Sequence, residues 1–245
     1  MDVTEDIIKK LVDAKKISFL TGAGLSAASN LPTFRGEEGY WKKYNPLDLA
    51  TQTAFNKNAK LVWEWYYERR RLVINTNPNY AHYAIAELER YKDVWVITQN
   101  IDGLHKAAGS NNILELHGNI FNVKCTNCNF RGKIDNEFPP PPPLCKMCRS
   151  YLRPDVIWFD EDLDSNIWNK AVAISTNSDI LIVVGTSLIV DPANELPLIA
   201  KRKNVLLIEI NPQETKLTDI MDFSIRTPAV EGLRHLLENF KKNIY

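Results

Sequence analysis

The chain has no stretch apolar enough to cross a membrane. Its longest apolar run, Ile180 to Val190, is about half the roughly 20 residues that a spanning helix needs. The opening residues MDVTEDIIKK lack the apolar core of a secretory leader, so a soluble, cytoplasmic protein is expected. An excess of either charge is also missing, with Lys plus Arg and Asp plus Glu at 30 each, and direct nucleic-acid binding is not expected. No internal repeat of solenoid length occurs. Cysteine is scarce, at four in 245 residues, and none stands alone.

Those four cysteines carry the strongest local signal. Cys125 and Cys128 form one C-x-x-C pair, Cys145 and Cys148 a second, with 16 residues between the pairs. Zinc takes four tetrahedral thiolates, and each C-x-x-C turn supplies two from one side. Disulfides and redox dithiols are the rival readings, but nothing indicates export, and a redox pair needs only one C-x-x-C. A four-thiolate zinc site uses every ligand and leaves no open position for chemistry, so one structural Zn2+ is expected. The run Pro139 to Pro143 between the pairs reads as a stiff connector more readily than as a ligand for a polyproline-binding domain.

With 44% hydrophobic and 24% charged residues, the chain is long enough for one large domain and a smaller inserted one. Thr4, Glu5 and Asp6 predict a helix start, with Ile7, Ile8, Leu11 and Val12 at helical spacing up to Lys16. Buried-strand runs follow at Ile17–Thr21, Val94–Thr98, Ile180–Val184 and Val205–Ile210, each ending in a polar or glycine-containing segment. A last helix is expected from about Ala229 to Lys242. The pattern predicts an α/β fold, a parallel sheet with helices on both faces that gathers ligands at the carboxyl ends of its strands. Two stretches break the rhythm: a helical, aromatic one at about Asn45 to Thr76, and the cysteine module.

The first strand runs into Gly22-Ala23-Gly24, with a helix expected from Ser26, an arrangement that lets backbone approach a pyrophosphate. The rest of the dinucleotide fingerprint is missing. Ala27 and Ala28 stand near the place of its third glycine, and no acidic residue ends a second strand about 20 residues on. A plain hydride-transfer enzyme is therefore disfavoured.

Several further motifs occur in order along the chain: Gly22-Ala23-Gly24-Leu25-Ser26, Pro32-Thr33-Phe34-Arg35-Gly36, Thr98 to His105, His117-Gly118, the cysteine quartet, Arg153 to Phe159, Gly185-Thr186-Ser187 and Ile210-Asn211-Pro212. Over essentially its whole length the sequence resembles the sirtuin family, the NAD-dependent protein-lysine deacylases. The resemblance implies a Rossmann-like domain in three parts (1–44, 77–120 and 153–245), with a small lobe made of a helical insertion (45–76) and a zinc-binding module (121–152). It also implies that NAD is consumed as a reactant: the bond between nicotinamide and ribose breaks, and the acyl group leaves lysine as O-acyl-ADP-ribose. No hydride moves, in keeping with the missing dehydrogenase features.

By the same resemblance His117 is the general base, and Asn100 and Asp102 take part in catalysis. An imidazole of unperturbed pKa about 6.5 can accept a ribose hydroxyl proton at neutral pH. Gly22, Ala23, Gly24, Ser26, Thr33, Phe34, Arg35, Tyr40 and Trp41 would form the cofactor-binding loop. Phe34 has a plain reading as core. Gln99, Asn100, Ile101 and Asp102 would serve the nicotinamide pocket and nearby ribose, although Asn and Asp there can equally cap a helix starting near Asp102. Gly185, Thr186, Ser187, Asn211, Pro212, Gln213 and, more loosely, Ala229 would contact the ribose and adenine half. His105 reads as structural, and His82 and His235 carry no argument for function.

Tyr66 and Arg69, three apart and so on one helix face, resemble the Y-x-x-R pair that one sirtuin class uses to hold the carboxylate of succinyl- or malonyl-lysine. Their plain reading is a packing stripe with a solvated basic face through Arg71. Acetyl-lysine needs neither, so dual specificity is expected. Val156, Ile157, Trp158 and Phe159 would grip an acylated peptide as an added strand. Asp160 stands where the family commonly has glycine, a carboxylate expected to favour basic flanks. The rival readings are a protein ADP-ribosyltransferase and a zinc-ribbon nucleic-acid binder.

Overall fold

The structure, a computed structural model, describes residues 5–33, 45–134 and 142–244. Thr4, Phe34, Arg35, Tyr40, Trp41 and Pro139 to Pro141 lie outside the described residues. In chain order the first half comprises α1 (Glu5–Asp13), β1 (Lys16–Thr21), α2 (Ala23–Ser26), α3 (Gln52–Ile74), α4 (Tyr80–Leu88), β2 (Asp93–Thr98), α5 (Leu104–Ala107) and β3 (Ile113–Glu115). The second half comprises β4 (Gly118–Cys125), β5 (Arg131–Lys133), β6 (Leu152–Val156), α6 (Ser165–Thr176), β7 (Ile180–Val184), α7 (Glu195–Lys201), β8 (Leu206–Ile210), β9 (Phe223–Ile225) and α8 (Ala229–Ile244).

Six strands form one parallel sheet in the order β3-β2-β1-β7-β8-β9. β7 is buried at every residue, as a central strand covered on both faces must be. On one face, Ile7, Ile8 and Leu11 of α1, Ala81 and Ile85 of α4 and Leu233, Leu236 and Phe240 of α8 pack on the sheet. On the other, Ala171 of α6 and Leu196 and Ala200 of α7 meet Leu20, Leu181, Val183 and Leu207. The chain leaves β1 for β2 and β3 on one side and returns to β7, β8 and β9 on the other. The reversal of strand order between β1 and β7 opens a crevice at their carboxyl ends.

The small lobe has its own core. Trp63, Trp65, Tyr66 and Tyr67 of α3 pack with Ile120, Val123, Leu152, Val156, Trp158 and Cys145 around the antiparallel sheet β5-β4-β6. α3 is kinked at Asn58 (φ −153°, ψ 77°), whose Oδ1 accepts the Leu61 N–H and so restarts the helix.

Several boundaries differ from the sequence expectation. α1 ends at Asp13, and Lys16 already opens β1. The helix expected from Ser26 instead starts inside the glycine loop at Ala23 and gives way to a 3-10 turn, Ala27–Ser29. Its first turn is set by long-range bonds, Gly22 N–H to Val184 O and Gly24 N–H to Gly185 O, which local pattern does not reveal. The helix expected near Asp102 begins at Leu104, with the Asp102 carboxylate accepting the Leu104 N–H. β9 is three residues long, and no sequence pattern announced it.

Candidate active site

A cleft of about 1020 Å³ lies at this crevice, walled by the strand ends on one side and by Tyr66, Ile157, Trp158 and Phe159 on the other. That is the upper end of the ~300–1,000 Å³ usual for ligand clefts, room for a dinucleotide and part of a second substrate. Its floor is backbone against backbone. Gly185, at φ +60°, sits so close to the glycine loop that a Cβ there would lie 2.4 Å from Leu25 N. Gly22 and Gly24 in turn press on Thr186 and Gly185. These glycines thus serve first to bring two strand-end loops together, and only then to offer the backbone surface expected of them.

Of the residues expected to hold the cofactor, Gly22, Ala23, Gly24, Thr33, Gln99, Asn100, Ile101, Gly185, Thr186, Ser187, Asn211, Pro212, Gln213 and Ala229 line this cleft. Ser26 and Asp102 do not. They line a small adjoining pocket with Arg69, Leu72 and Pro32, which meets the cleft at Ala23, Asn100 and Ile101.

His117 follows β3 and reaches the cleft wall. Its Nδ1 lies 3.1 Å from Gln99 O, an oxygen that can only accept, so Nδ1 carries the proton and Nε2 presents a lone pair. Burial pushes its pKa below the ordinary histidine value, against that hydrogen bond, so the ring is neutral at pH 7. Gly118 next to it takes φ +78°, and a Cβ there would lie 2.2 Å from Asp155 O; only glycine lets β4 and β6 close behind the histidine.

Behind the glycine loop lies a buried polar network. Asn100 Nδ2 donates to Gly22 O (3.0 Å) and Ser26 Oγ (3.2 Å), and Ser26 Oγ donates to Asp102 Oδ2 (2.8 Å). His82, fully buried, accepts the Asn79 N–H at Nδ1 (3.2 Å) and directs Nε2 at Ser26 Oγ (3.4 Å). No sequence pattern announces it, since an alanine-rich helix hides a buried histidine. His105, read as structural, is buried, stacks edge-on against His82 and bonds Thr21 Oγ1 (3.0 Å). Burial pushes the pKa of His82 down to about 4 and that of His105 to about 3.

Both values lie below the ~6.5 of an unfolded histidine, so below that pH the unfolded chain binds protons that the folded chain refuses. Stability is therefore expected to fall as pH drops from about 6.5 towards 4, by up to about 1.4 kcal/mol per pH unit for each histidine. Thermal unfolding across that window checks this, with His82→Asn and His105→Gln each expected to flatten the slope.

On the other wall the Tyr66 hydroxyl accepts from Trp158 Nε1 (2.9 Å). Arg153, buried under the loop, stacks 3.3 Å from the Trp158 ring and bonds both Glu161 oxygens and Val156 O. The backbone expected to receive a peptide is largely occupied. The Ile157 N–H goes to His117 O, that of Trp158 to Glu161 Oε2, and that of Phe159 to Ala50 O. Val156 lies inside β6, paired with Gly118 and packed in the small-lobe core. Asp160 is exposed, and its carboxylate is engaged by the start of α3. Its carboxylate accepts the Gln52 N–H (2.8 Å) and Thr53 N–H (3.3 Å), capping α3, and although some burial opposes it, these bonds hold its pKa below the carboxylate norm.

The four cysteine Sγ atoms lie within 4.8 Å of one another, with Cys125 to Cys148 at 3.4 Å and Cys128 to Cys145 at 3.6 Å. That is too far for a disulfide, near 2.05 Å. It is close to the ~3.8 Å edge of a tetrahedron with Zn–S near 2.3 Å. The N–H groups of Asn127 and Cys128 point at Cys125 Sγ, each at 3.4 Å, as donors to a thiolate would. The donor set fits a structural zinc ion.

Comparisons with known proteins agree with this geometry. A sequence profile of the Sir2 family matches residues 22–192. An NAD-dependent protein deacylase of Caldanaerobacter subterraneus subsp. tengcongensis is 51% identical over 226 residues, covering 91% of this chain and 93% of its own. Among solved structures, a Sir2 homologue in complex with NAD aligns at TM-score 0.94 and 44% identity, covering 99% of this chain and 96% of its own. A Sir2 protein with a deacetylated p53 peptide and 3'-O-acetyl ADP ribose aligns at TM-score 0.89 and 33% identity, covering 97% and 98%. The glycine loop, the histidine on the cleft wall and the four-cysteine module thus sit in a chain that belongs to the Sir2 family.

Proposed function

We propose that this chain is an NAD-dependent protein-lysine deacylase that acts on acetyl-lysine and also on succinyl- or malonyl-lysine in peptides. The observation that carries the deacylase reading is His117, neutral, with Nδ1 tied to Gln99 O and Nε2 free to accept a proton inside a cleft built at the strand-order reversal. When bound, NAD supplies a sugar carbon that can exchange nicotinamide for the acyl oxygen. The residues lining the strand ends would hold it, Gly22 to Gly24 and Gln99 to Ile101 near His117, and Gly185 to Ser187 and Asn211 to Gln213 beyond. His117 then takes a hydroxyl proton at Nε2. Asn100 holds the glycine loop through Gly22 O, and Trp158, fixed by Arg153 and Tyr66, closes the wall that keeps water out.

The peptide reading rests on Ile157, Trp158 and Phe159. With their N–H groups engaged, the Ile157 carbonyl supplies the acceptor for an incoming amide N–H, so the peptide is held at a point and does not pair along all of Val156–Phe159.

The wider acyl range is supported by Tyr66 and Arg69. Burial pushes the Tyr66 pKa up, keeping its O–H protonated, and its oxygen already accepts from Trp158, so the hydroxyl proton is available to a carboxylate. The Arg69 guanidinium lies 5.9 Å from the Tyr66 ring and 4.5 Å from that of Trp65, in the pocket contiguous with the cleft. Hydrogen bonds to a charged group contribute about 1.5–3 kcal/mol. Arg69→Met is therefore expected to lower succinyl-lysine turnover by about one to two decades and leave acetyl-lysine turnover within a few-fold, while Tyr66→Phe, which also strips Trp158 Nε1 of its acceptor, is expected to lower succinyl-lysine turnover by about one to two decades more than acetyl-lysine turnover. Parallel assays on matched peptides, following nicotinamide and acyl-ADP-ribose by mass spectrometry, decide it. Equal losses on both peptides would remove the carboxylate role, and label from NAD retained on protein would favour ADP-ribosyl transfer.

A further inference from the structure

Glu209 occupies a place in β8 where a continuous buried run calls for an apolar side chain. Its neighbours Leu207, Ile208 and Ile210 are buried hydrophobics, and Glu209 is itself fully buried. A carboxylate in such a place is costly unless donors converge on it, and a well-packed apolar residue is often as stable. Here the donors come from one segment of chain and its neighbours. Thr215 Oγ1 donates to Oε1 (2.5 Å) and Thr218 Oγ1 to Oε2 (2.8 Å), while Arg226 Nη1 also reaches Oε2 (2.5 Å). Arg226 then extends to the carbonyls of Asn211 (3.4 Å) and Gln213 (3.5 Å) and to Thr218 Oγ1 (3.1 Å). The loop following β8 is thus tied from beneath at four of its residues. Its upper surface, Asn211 to Thr215, lines the cleft.

We infer that Glu209, acting through Arg226 and Thr215, is a positioning residue for the cofactor: it fixes the shape of the 211–215 loop that receives the adenine-side half of NAD. The inference rests on the deacylase reading and deepens it. Glu209 does not line the cleft and reaches it only through Thr215 and the loop it braces. Its effect is therefore confined to cofactor binding and leaves the chemistry at His117 alone.

The test uses Glu209→Leu, which fills the space but accepts no hydrogen bond, and Glu209→Gln, which keeps the shape and removes the charge. ADP-ribose binding by calorimetry is expected to weaken about tenfold or more in Glu209→Leu and several-fold in Glu209→Gln. KM for NAD is expected to rise in step, with kcat within about twofold and KM for the acyl-peptide unchanged. Amide exchange in the ligand-free protein is expected to quicken at residues 211–218 while β7 stays protected. ADP-ribose affinity within twofold of wild type in a folded Glu209→Leu, or unchanged exchange in the loop, overturns the proposal alone. Wild-type protein that binds no ADP-ribose overturns it together with the reading beneath it. Should Glu209→Leu not fold, Glu209→Gln and Arg226→Lys carry the same comparison.

Discussion

Replacing His117 by alanine is expected to lower acyl-lysine turnover by about 10²–10⁴-fold, the usual contribution of a positioned general base. The protein should still fold, because the side chain is half-buried at the cleft wall and, among the described residues, hydrogen-bonds only to Gln99 O. The pH dependence of the wild type gives a second check on the same residue. Only the neutral ring can accept a proton, and burial has moved its pKa below the ordinary value. Activity should therefore persist as pH falls past about 6.5 and be lost below it, as the ring takes up a proton in the folded protein. A kcat/KM profile whose acid limb lies at or above that pH would contradict the burial argument.

Losing the zinc site should have the next largest effect. The small-lobe core contains Cys145 and packs against the other three cysteines, so the metal and the hydrophobic cluster stand or fall together. Apparent binding free energies of structural zinc run to about 10–16 kcal/mol, comparable with the ~5–15 kcal/mol that holds a whole domain. Two strands carry the damage to the active site. β4 starts at Gly118, immediately after His117, and ends at Cys125. β6 starts at Leu152, just beyond the second cysteine pair, and runs into Ile157 to Phe159. Cys145→Ser is thus expected to drop bound zinc from one per chain to none, to unfold the small lobe and to abolish turnover. Metal analysis, tryptophan emission from Trp63, Trp65 and Trp158, and the assay itself report the three effects. Full activity in a zinc-free variant would show that the active site does not depend on the cysteine module.

How far the sequence reveals these features depends on how local each one is. β1, β2 and β7 are buried on both sides and therefore read as continuous apolar runs. The cysteine pairs are short-range by nature, and His117 stands at a strand end between an apolar segment and a glycine. What depends on distant partners was hidden. Asp160 reads as a groove carboxylate from its neighbours Trp158 and Phe159, yet its partners are Gln52 and Thr53, over a hundred residues earlier. Val156 looks like part of a peptide-binding edge, and it does end β6, an edge strand of the small-lobe sheet, but its side chain is packed in the small-lobe core, which local sequence does not reveal. The glycine loop looks like a phosphate cradle, whereas its tightest constraint comes from Gly185 across the switch point. Tyr66 and Arg69 share a helix face as their spacing requires, yet they line two contiguous pockets. Burial alone made His82 and Glu209 informative, and neither has a sequence signature.

The central claim is that the cleft couples NAD breakdown to removal of an acyl group from lysine. The most direct measurement mixes the protein with NAD and an acetyl-lysine peptide and counts nicotinamide, deacetylated peptide and O-acetyl-ADP-ribose by mass spectrometry over time. All three are expected to appear together in equal amounts, only when both substrates are present. Nicotinamide released without peptide, or deacetylation that proceeds without NAD, would contradict it.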